Sequence, residues 1–349
     1  MKYIDLGKIC NIKTGKLDSN ASSEDGIYPF FTCSKESLKI NSYSYDCECV
    51  LVAGNGDLNV KYYNGKFEAY QRTYIVETID KMKYSTKFLY LLISSKIDEL
   101  RKIAIGGVIK YIKLGNLINI KVPVLSIEEQ NYIVNKMFSL SQILNIKRSQ
   151  LLKFDELIKS QFVEMFKCCP QTKLCEIANI TMGQSPNSES YNDSADGIPF
   201  FQGKADYGDK YTIIKHWTNQ PSKLAYKGDV LMSVRAPVGP VNISSCDCCI
   251  GRGLCSITAK DGLTNNEFLF NSLNTIQVEI ATKGTGSTFK AITKNDVYNI
   301  ELPLGSIKLQ NKFARIVEQI DKQKFVNINI FQLLDKMFQK CYNNLIDFY

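Results

Sequence analysis

A single histidine, His216, limits the chemistry open to this chain, because any site built on two imidazoles, such as a His-Glu-x-x-His zinc centre, is excluded. His216 sits beside Trp217 in a Tyr/Thr/Ile-rich segment and reads as structural. Twelve cysteines invite a zinc or disulfide reading. Only Cys246 and Cys249 stand in Cys-x-x-Cys spacing, however, and Cys47-x-Cys49 is too closely spaced for a tetrahedral site. Small buried strand residues are the better reading of these thiols. No Gly-x-x-x-x-Gly-Lys-Ser/Thr segment offers a phosphate cradle, and no two prolines are adjacent as an amino-methyltransferase motif requires. None of the 35 acidic residues opens an Asp/Glu-x-Lys tripeptide of the metal-dependent nuclease kind. The Gly-x-Gly fragments at Gly54/Gly56, Gly251/Gly253 and Gly284/Gly286 lack the context of a dinucleotide site and read as turns. The chain is expected to be non-catalytic, with no metal site.

What remains is cationic. The 43 Lys and Arg exceed the 35 Asp and Glu by a formal +8, a sign compatible with a polyanionic partner. The excess is uneven: residues 1–125 carry 18 basic against 13 acidic side chains and residues 306–349 carry 7 against 4, while 126–166 and 167–305 are balanced. The opening Met-Lys-Tyr-Ile-Asp-Leu has no apolar leader, and no apolar run approaches the ~20 residues of a membrane helix. A cytoplasmic protein without a membrane partner is expected.

The elements that must position these residues come in two copies. Shifting the chain by 180 residues places Val50-Leu51 on Val230-Leu231, Arg72 on Arg252, Phe88-Leu89 on Phe268-Leu269, and Gly106, Lys110 and Ile112 on Gly286, Lys290 and Ile292. The register continues through Asn119-Ile120 on Asn299-Ile300, Pro123 on Pro303, Ser126-Ile127 on Ser306-Ile307 and Gln130-Asn131 on Gln310-Asn311. Each copy opens with a body of short β-rich runs, such as Thr73–Val76 and Leu254–Ile257, interrupted by helical stretches over Ser85–Arg101 and Asn265–Ala281. Phe30, Phe31, Phe200 and Phe201 recur in both and belong to the core. After each proline the texture changes. Ser126 and Glu129 form a capping box, whereas Ser306 lacks the matching Glu. Apolar residues then keep a 4-3 spacing: Ile133, Met137, Leu140, Leu144, Lys147, Leu151, Phe154, Ile158, Gln161, Met165 in one copy, and Phe313, Val317, Ile320, Lys324, Asn327, Phe331, Leu334, Phe338, Cys341, Leu345 in the other. A 3.5-residue repeat of that length is a coiled-coil seam, and two such helices in one chain pair most simply antiparallel. The expected fold class is α+β: two similar α/β bodies and two long antiparallel coiled-coil helices, related by an internal pseudo-twofold repeat.

In these features the chain resembles the specificity subunits of type I restriction-modification systems. The resemblance covers essentially the whole sequence. Its most specific parts are Ile120-Lys-Val-Pro-Val-Leu-Ser-Ile-Glu-Glu-Gln-Asn131 and Ile300-Glu-Leu-Pro-Leu-Gly-Ser-Ile-Lys-Leu-Gln-Asn311, with Val124 and Leu304 standing where the family usually has a second proline. It implies target recognition domains at 1–125 and 167–305, spacer helices at 126–166 and 306–349, and a bipartite asymmetric site on double-stranded DNA. It further implies two methyltransferase subunits as partners, with restriction/translocase subunits beyond them. S-adenosylmethionine, Mg and ATP would belong to those partners, leaving this chain no cofactor. The candidate DNA contacts are Lys16 and Gln184 in the matched openings and Arg72, Arg235 and Arg252, whose guanidinium can pair bidentately with guanine. Two glycine loops complete them: Gly106, Gly107 and Lys110, and Gly284, Gly286, Ser287, Thr288 and Lys290. Arg72 and Arg252 match between copies and could instead brace their own folds. A coiled-coil adaptor whose bodies bind protein, or a stand-alone DNA-acting enzyme, are the alternative readings.

Overall fold

In the computed structural model of the chain, residues 2–284 and 291–343 are described. The chain divides into two compact units, Met1–Arg148 with Asn329–Tyr349, and Ser149–Ile328.

The first unit is built on a six-stranded sheet in the order Cys10–Thr14, Thr73–Thr78, Tyr45–Ala53, Val60–Ala69, Tyr28–Phe31, Leu38–Ile40. All neighbours are antiparallel except Tyr28–Phe31 on Val60–Ala69. Successive strand side chains point to opposite faces, and both faces of the central strand are covered. Val50 and Val52 join a core with Leu89 and Leu92 of α1 (Thr86–Ser95) and Leu100 of α2 (Ile97–Ile103). Cys49 and Leu51 face a second cluster holding Phe31, Tyr45 and Phe67. A short helix, α3 (Leu114–Ile118), leads to the strand Lys121–Pro123, which pairs with Tyr3–Asp5 and so returns the end of the body to its beginning. From there runs α4 (Ile127–Phe166).

The second unit repeats this plan. After α5 (Leu174–Ile177) comes a four-stranded sheet ordered Ala178–Met182, Leu254–Ala259, Val230–Ser233, Val241–Ile243. Alongside it runs a five-stranded sheet in which Ile198–Phe201 lies parallel to Cys248–Ile250. Helices α6 (Asn266–Thr275), α7 (Gln277–Thr282) and α8 (Lys294–Tyr298) precede the strand Glu301–Pro303, paired with Gln171–Lys173, and then α9 (Ile307–Asn343). Phe30, Phe31, Phe200 and Phe201 are all buried.

One detail departs from the sequence reading, and another separates the two copies. The helices expected over Ser85–Arg101 and Asn265–Ala281 each break once, at Lys96 and at Ile276. The new turn carries Leu100 and Ile280 into their cores, so tertiary packing overrides local propensity at the same position in both copies. The strand Val60–Ala69 is continuous, while its counterpart splits into Val241–Ile243 and Cys248–Ile250.

The long helices keep the expected seam. All ten seam positions of α4 and the nine described ones of α9 are buried or half-buried; Leu345 lies outside the described residues. Within the first unit Arg148 of α4 lies over the Phe331 ring of α9 at 5.8 Å. Within the second, Phe162 and Phe166 meet Phe313 at centroid distances of 5.5 and 5.6 Å. Late residues of one helix thus meet early residues of the other, as an antiparallel pair requires. Lys210 adds a polar tie inside the second unit, reaching Glu267 on α6 at 3.0 Å and Asp321 on α9 at 2.6 Å. Burial depresses the Lys210 ammonium, but these two carboxylates outweigh it and hold its pKa above the usual lysine value. Among the described residues no helix is long and apolar enough to cross a membrane.

Candidate nucleic-acid interface

Three backbone segments meet at one edge of the first unit. The opening segment is laid against the turn after Ala69: the Gly15 N–H donates to the Thr73 carbonyl at 3.1 Å and the Lys16 N–H to the Ala69 carbonyl at 3.2 Å. A side chain at Gly15 would stand 2.1 Å from the Ala69 oxygen, so this approach requires glycine. Arg72, on that turn, accepts from the Gly54 N–H at 2.8 Å through its carbonyl. The 54–57 loop passes the connection on, since Gly56 N–H donates to the Lys110 carbonyl and Ile112 N–H to the Gly54 carbonyl, both at 2.9 Å. The fold therefore brings Lys16, Arg72, Gly106, Gly107 and Lys110 to neighbouring segments. All five are exposed, and among the described residues none of the three cations forms an ion pair. The arginine nearby that does pair, Arg101, is held by Asp98 and Asp57 at 2.8 and 3.0 Å and braces α2 against the loop.

The second unit repeats the arrangement. Gly183 N–H donates to the Leu254 carbonyl at 2.9 Å and Gln184 N–H to the Ile250 carbonyl at 3.0 Å, setting the opening on the turn that carries Arg252. The Arg252 N–H reaches the Ser185 hydroxyl at 3.3 Å. Val234 N–H donates to the Gly253 carbonyl at 2.9 Å, and Arg235 pairs in an antiparallel bridge with Ala291, the residue after the second glycine loop. Gln184, Arg235 and Arg252 are exposed, and among the described residues neither arginine forms an ion pair. Gly284 is described; Gly286, Ser287, Thr288 and Lys290 lie outside the described residues. The backbones of Arg72 and Arg252 hold their turns while their side chains are exposed and, among the described residues, form no ion pair, so the bracing role and the exposed role coexist.

His216 binds the Asp193 carboxylate through Nδ1 at 2.6 Å, and among the described residues no hydrogen bond links the ring to a hydroxyl or thiol. Cys248, Cys249 and Cys255 are fully buried, and burial pushes the Cys248 and Cys255 thiols up to about 12. A buried neutral thiol is a poor nucleophile and a poor metal ligand.

Sequence reasoning missed the role of Gln130 and Gln310. Gln130, buried near the start of α4, accepts from the Ser85 N–H at 2.9 Å and donates to the Lys83 and Leu125 carbonyls at 2.8 and 3.1 Å. Gln310 repeats this on Asn265 N–H, Leu263 and Gly305, and adds the Thr264 hydroxyl at 2.9 Å. Ser85 and Asn265 are the N-caps of α1 and α6, so each glutamine joins a long helix to the capped end of a core helix. The signal was present in the repeated Ser-Ile-x-x-Gln-Asn.

Comparison with known proteins bears on the fold that carries these segments. A profile of the type I restriction modification DNA specificity domain matches residues 1–153 and again 171–332. The type I restriction enzyme EcoDI specificity subunit of Escherichia coli is 29% identical over 364 residues, covering 91% of this chain and 81% of its own. A chain solved in work on complex assembly and conformational transition of the type I R-M system has a TM-score of 0.68 at 24% identity, covering 98% of this chain and 96% of that one. The S subunit from M. genitalium gives 0.64 at 17% identity over 98% and 95%. At these identities the solved structures speak for the fold.

Proposed function

The chain belongs to the type I restriction-modification DNA specificity family, and on that premise we propose that it reads a bipartite, asymmetric site on double-stranded DNA, one half-site per body. The observation that carries the reading is the duplicated edge: in both units backbone hydrogen bonds set an opening segment on an arginine-bearing turn, which is tied in the first unit through Gly54 and Gly56 to Lys110 and in the second through Val234 and Arg235 to Ala291. Cations on such an edge neutralise phosphates, while side chains at its loops reach base edges. In this reading residues 1–125 and 167–305 are the recognition domains, and 126–166 and 306–349 the spacer. The candidate contacts are Lys16, Arg72, Gly106, Gly107, Lys110, Gln184, Arg235, Arg252, Gly284, Gly286, Ser287, Thr288 and Lys290. The chain itself is non-catalytic and cytoplasmic. Two methyltransferase subunits supply S-adenosylmethionine chemistry, and restriction/translocase subunits with Mg and ATP complete the system.

The helix pair also offers a docking face for those methyltransferase subunits. Ile143 and Ile146 of α4, and Ile330, Leu333 and Met337 of α9, are exposed, and each immediately precedes a seam position or, as with Ile146, the polar seam residue Lys147. In an antiparallel pair, residues preceding the seam on both helices project to the same side. Along 140–148 and 330–339, the residues following the seam are Ser141, Asn145 and Arg148, and Gln332, Asp335 and Gln339. Over that stretch one side of the pair is therefore polar and the other apolar, and an exposed apolar face of this kind marks a protein contact.

The test is methylation mapping of host DNA with the chain assembled on its methyltransferase subunits. A split motif is expected, and it should vanish when this chain is deleted; methylation without a split motif would overturn the reading. Arg72→Ala or Arg252→Ala, where the arginine meets phosphate, should weaken binding across sequences and lower the salt slope by about 1. Deleting one heptad from each helix shortens the spacer by about 10 Å. The preferred gap between half-sites should then fall by about 3 bp, at the ~3.4 Å rise per base pair, with both half-sites unchanged.

A further inference from the structure

The tip of the first glycine loop carries chemistry that phosphate binding does not use. Val108 is fully exposed and Ile109 is 61% exposed, between Gly106-Gly107 and Lys110. Two neighbouring aliphatic side chains are thus held in solvent at a loop tip, outside the two clusters that form the core of this body. The tip has a fixed base. Ile105 and Tyr111 exchange N–H···O bonds of 3.0 and 2.8 Å, and the Gly56 N–H holds the Lys110 carbonyl at 2.9 Å. Tyr74 donates its hydroxyl to the Ile112 carbonyl at 3.1 Å just beyond. Gly106 has φ +125, and a Cβ there would lie 2.3 Å from the Ile109 oxygen, so the turn that presents Val108 and Ile109 requires glycine.

From this arrangement, and resting on the DNA-reading function above, we infer that Val108 and Ile109 are a specificity-determining apolar contact, packing on the 5-methyl group of a thymine in the major groove. Charge selects the occupant: Lys16, Arg72 and Lys110 stand on the same edge, exposed and without ion pairs among the described residues, which suits a duplex bearing phosphates on either side of the tip. Shape selects the groove. A two-stranded turn closed by the Ile105–Tyr111 bridge fits the ~12 Å major groove and not the ~6 Å minor groove. Chemistry selects the base, because the thymine methyl is the apolar group presented among the donors and acceptors of the major groove. The second loop reads Thr-Gly-Ser-Thr-Phe between Gly284 and Lys290 in sequence, so the two bodies bring different side chains to their half-sites.

The experiment uses the full chain assembled with its methyltransferase subunits and a duplex carrying the mapped split motif. Each thymine of both half-sites is replaced singly by uracil, which removes only the methyl. One replacement should weaken binding by about three- to fivefold, the worth of roughly one buried methyl. The Val108→Ser/Ile109→Ser variant should bind the thymine and uracil duplexes equally, with assembly and the salt dependence of non-specific binding unchanged. The inference is overturned if no uracil replacement weakens binding, if the variant still discriminates, or if the variant loses its methyltransferase subunits, which would make the tip a protein contact. If the assembled complex shows no preference for the split motif over random duplex, the DNA-reading function itself fails, an outcome distinct from a silent uracil series.

Discussion

Placing a charge on the apolar side of the helix pair, as Ile146→Glu with Leu333→Glu, should separate the chain from its methyltransferase subunits while leaving it folded. Both side chains are already in solvent in the isolated chain, so the substitutions remove no core contact. Exposed substitutions of this kind shift stability by about 0.5 kcal/mol or less. In an assembled complex the same positions would be desolvated against the partner, where an unpaired carboxylate is costly. A well-packed interface anchor is worth about 2 kcal/mol, so association should weaken at least about 30-fold, read by titration of the purified methyltransferase subunits. The control lies across the same helices: Asn145→Ala and Gln332→Ala alter the polar side and should leave association unchanged. Equal effects on both sides would refute the assignment of the docking face. Wild-type affinity in the charged variant would refute it more directly.

Much of this molecule was legible because it was written twice. The 180-residue register identified both copies, and the 4-3 spacing identified α4 and α9 as a seam with their polar positions Lys147, Gln161, Lys324 and Asn327, since seam periodicity is a local property of sequence. Helix breaks are different. Neither Lys96 nor Ile276 is a proline or glycine, and the break exists to carry Leu100 and Ile280 inward, a demand that arises only when the sheet is present. The candidate interface was half legible. Repetition picked out Arg72 with Arg252 and Lys110 with Lys290, but a repeated residue can serve either fold or ligand. What separates the two is side-chain exposure together with the Gly54–Arg72 and Gly56–Lys110 backbone bonds, contacts across 18 and 54 residues that no local pattern records.

The same limit applies to Gln310, whose partners lie up to 47 residues away, and it leads to the largest expected loss of stability from one polar side chain. Gln310 is wholly buried and serves four groups: it accepts from the Thr264 hydroxyl and Asn265 N–H and donates to the Leu263 and Gly305 carbonyls. Gln310→Met keeps the shape and removes every one of these bonds. Each buried group left without a partner costs about 1–3 kcal/mol; the hydroxyl can rotate elsewhere and the 3.3 Å bond to Asn265 is long, so the total should be about 3 kcal/mol. The loss also loosens the start of α6, because Asn265 caps it by accepting from the Phe268 N–H at 2.8 Å, and Phe268 meets Phe166 edge-to-face at a centroid distance of 4.9 Å. Trp217, the single tryptophan, lies in this unit and reports its unfolding in urea. The midpoint should fall with the slope unchanged. Asn311→Ala removes an exposed bond to the same Asn265 side chain and should shift the midpoint little. Gln310→Glu separates the two functions of the amide, keeping an acceptor for Asn265 while setting a carboxylate against the Leu263 and Gly305 carbonyls. It should be at least as destabilising as the methionine at pH 7 and should recover part of the loss as the pH falls, when a protonated carboxyl can again donate. A methionine variant within about 0.5 kcal/mol of the parent would show that the repeated glutamine does not hold the long helix to the body it follows.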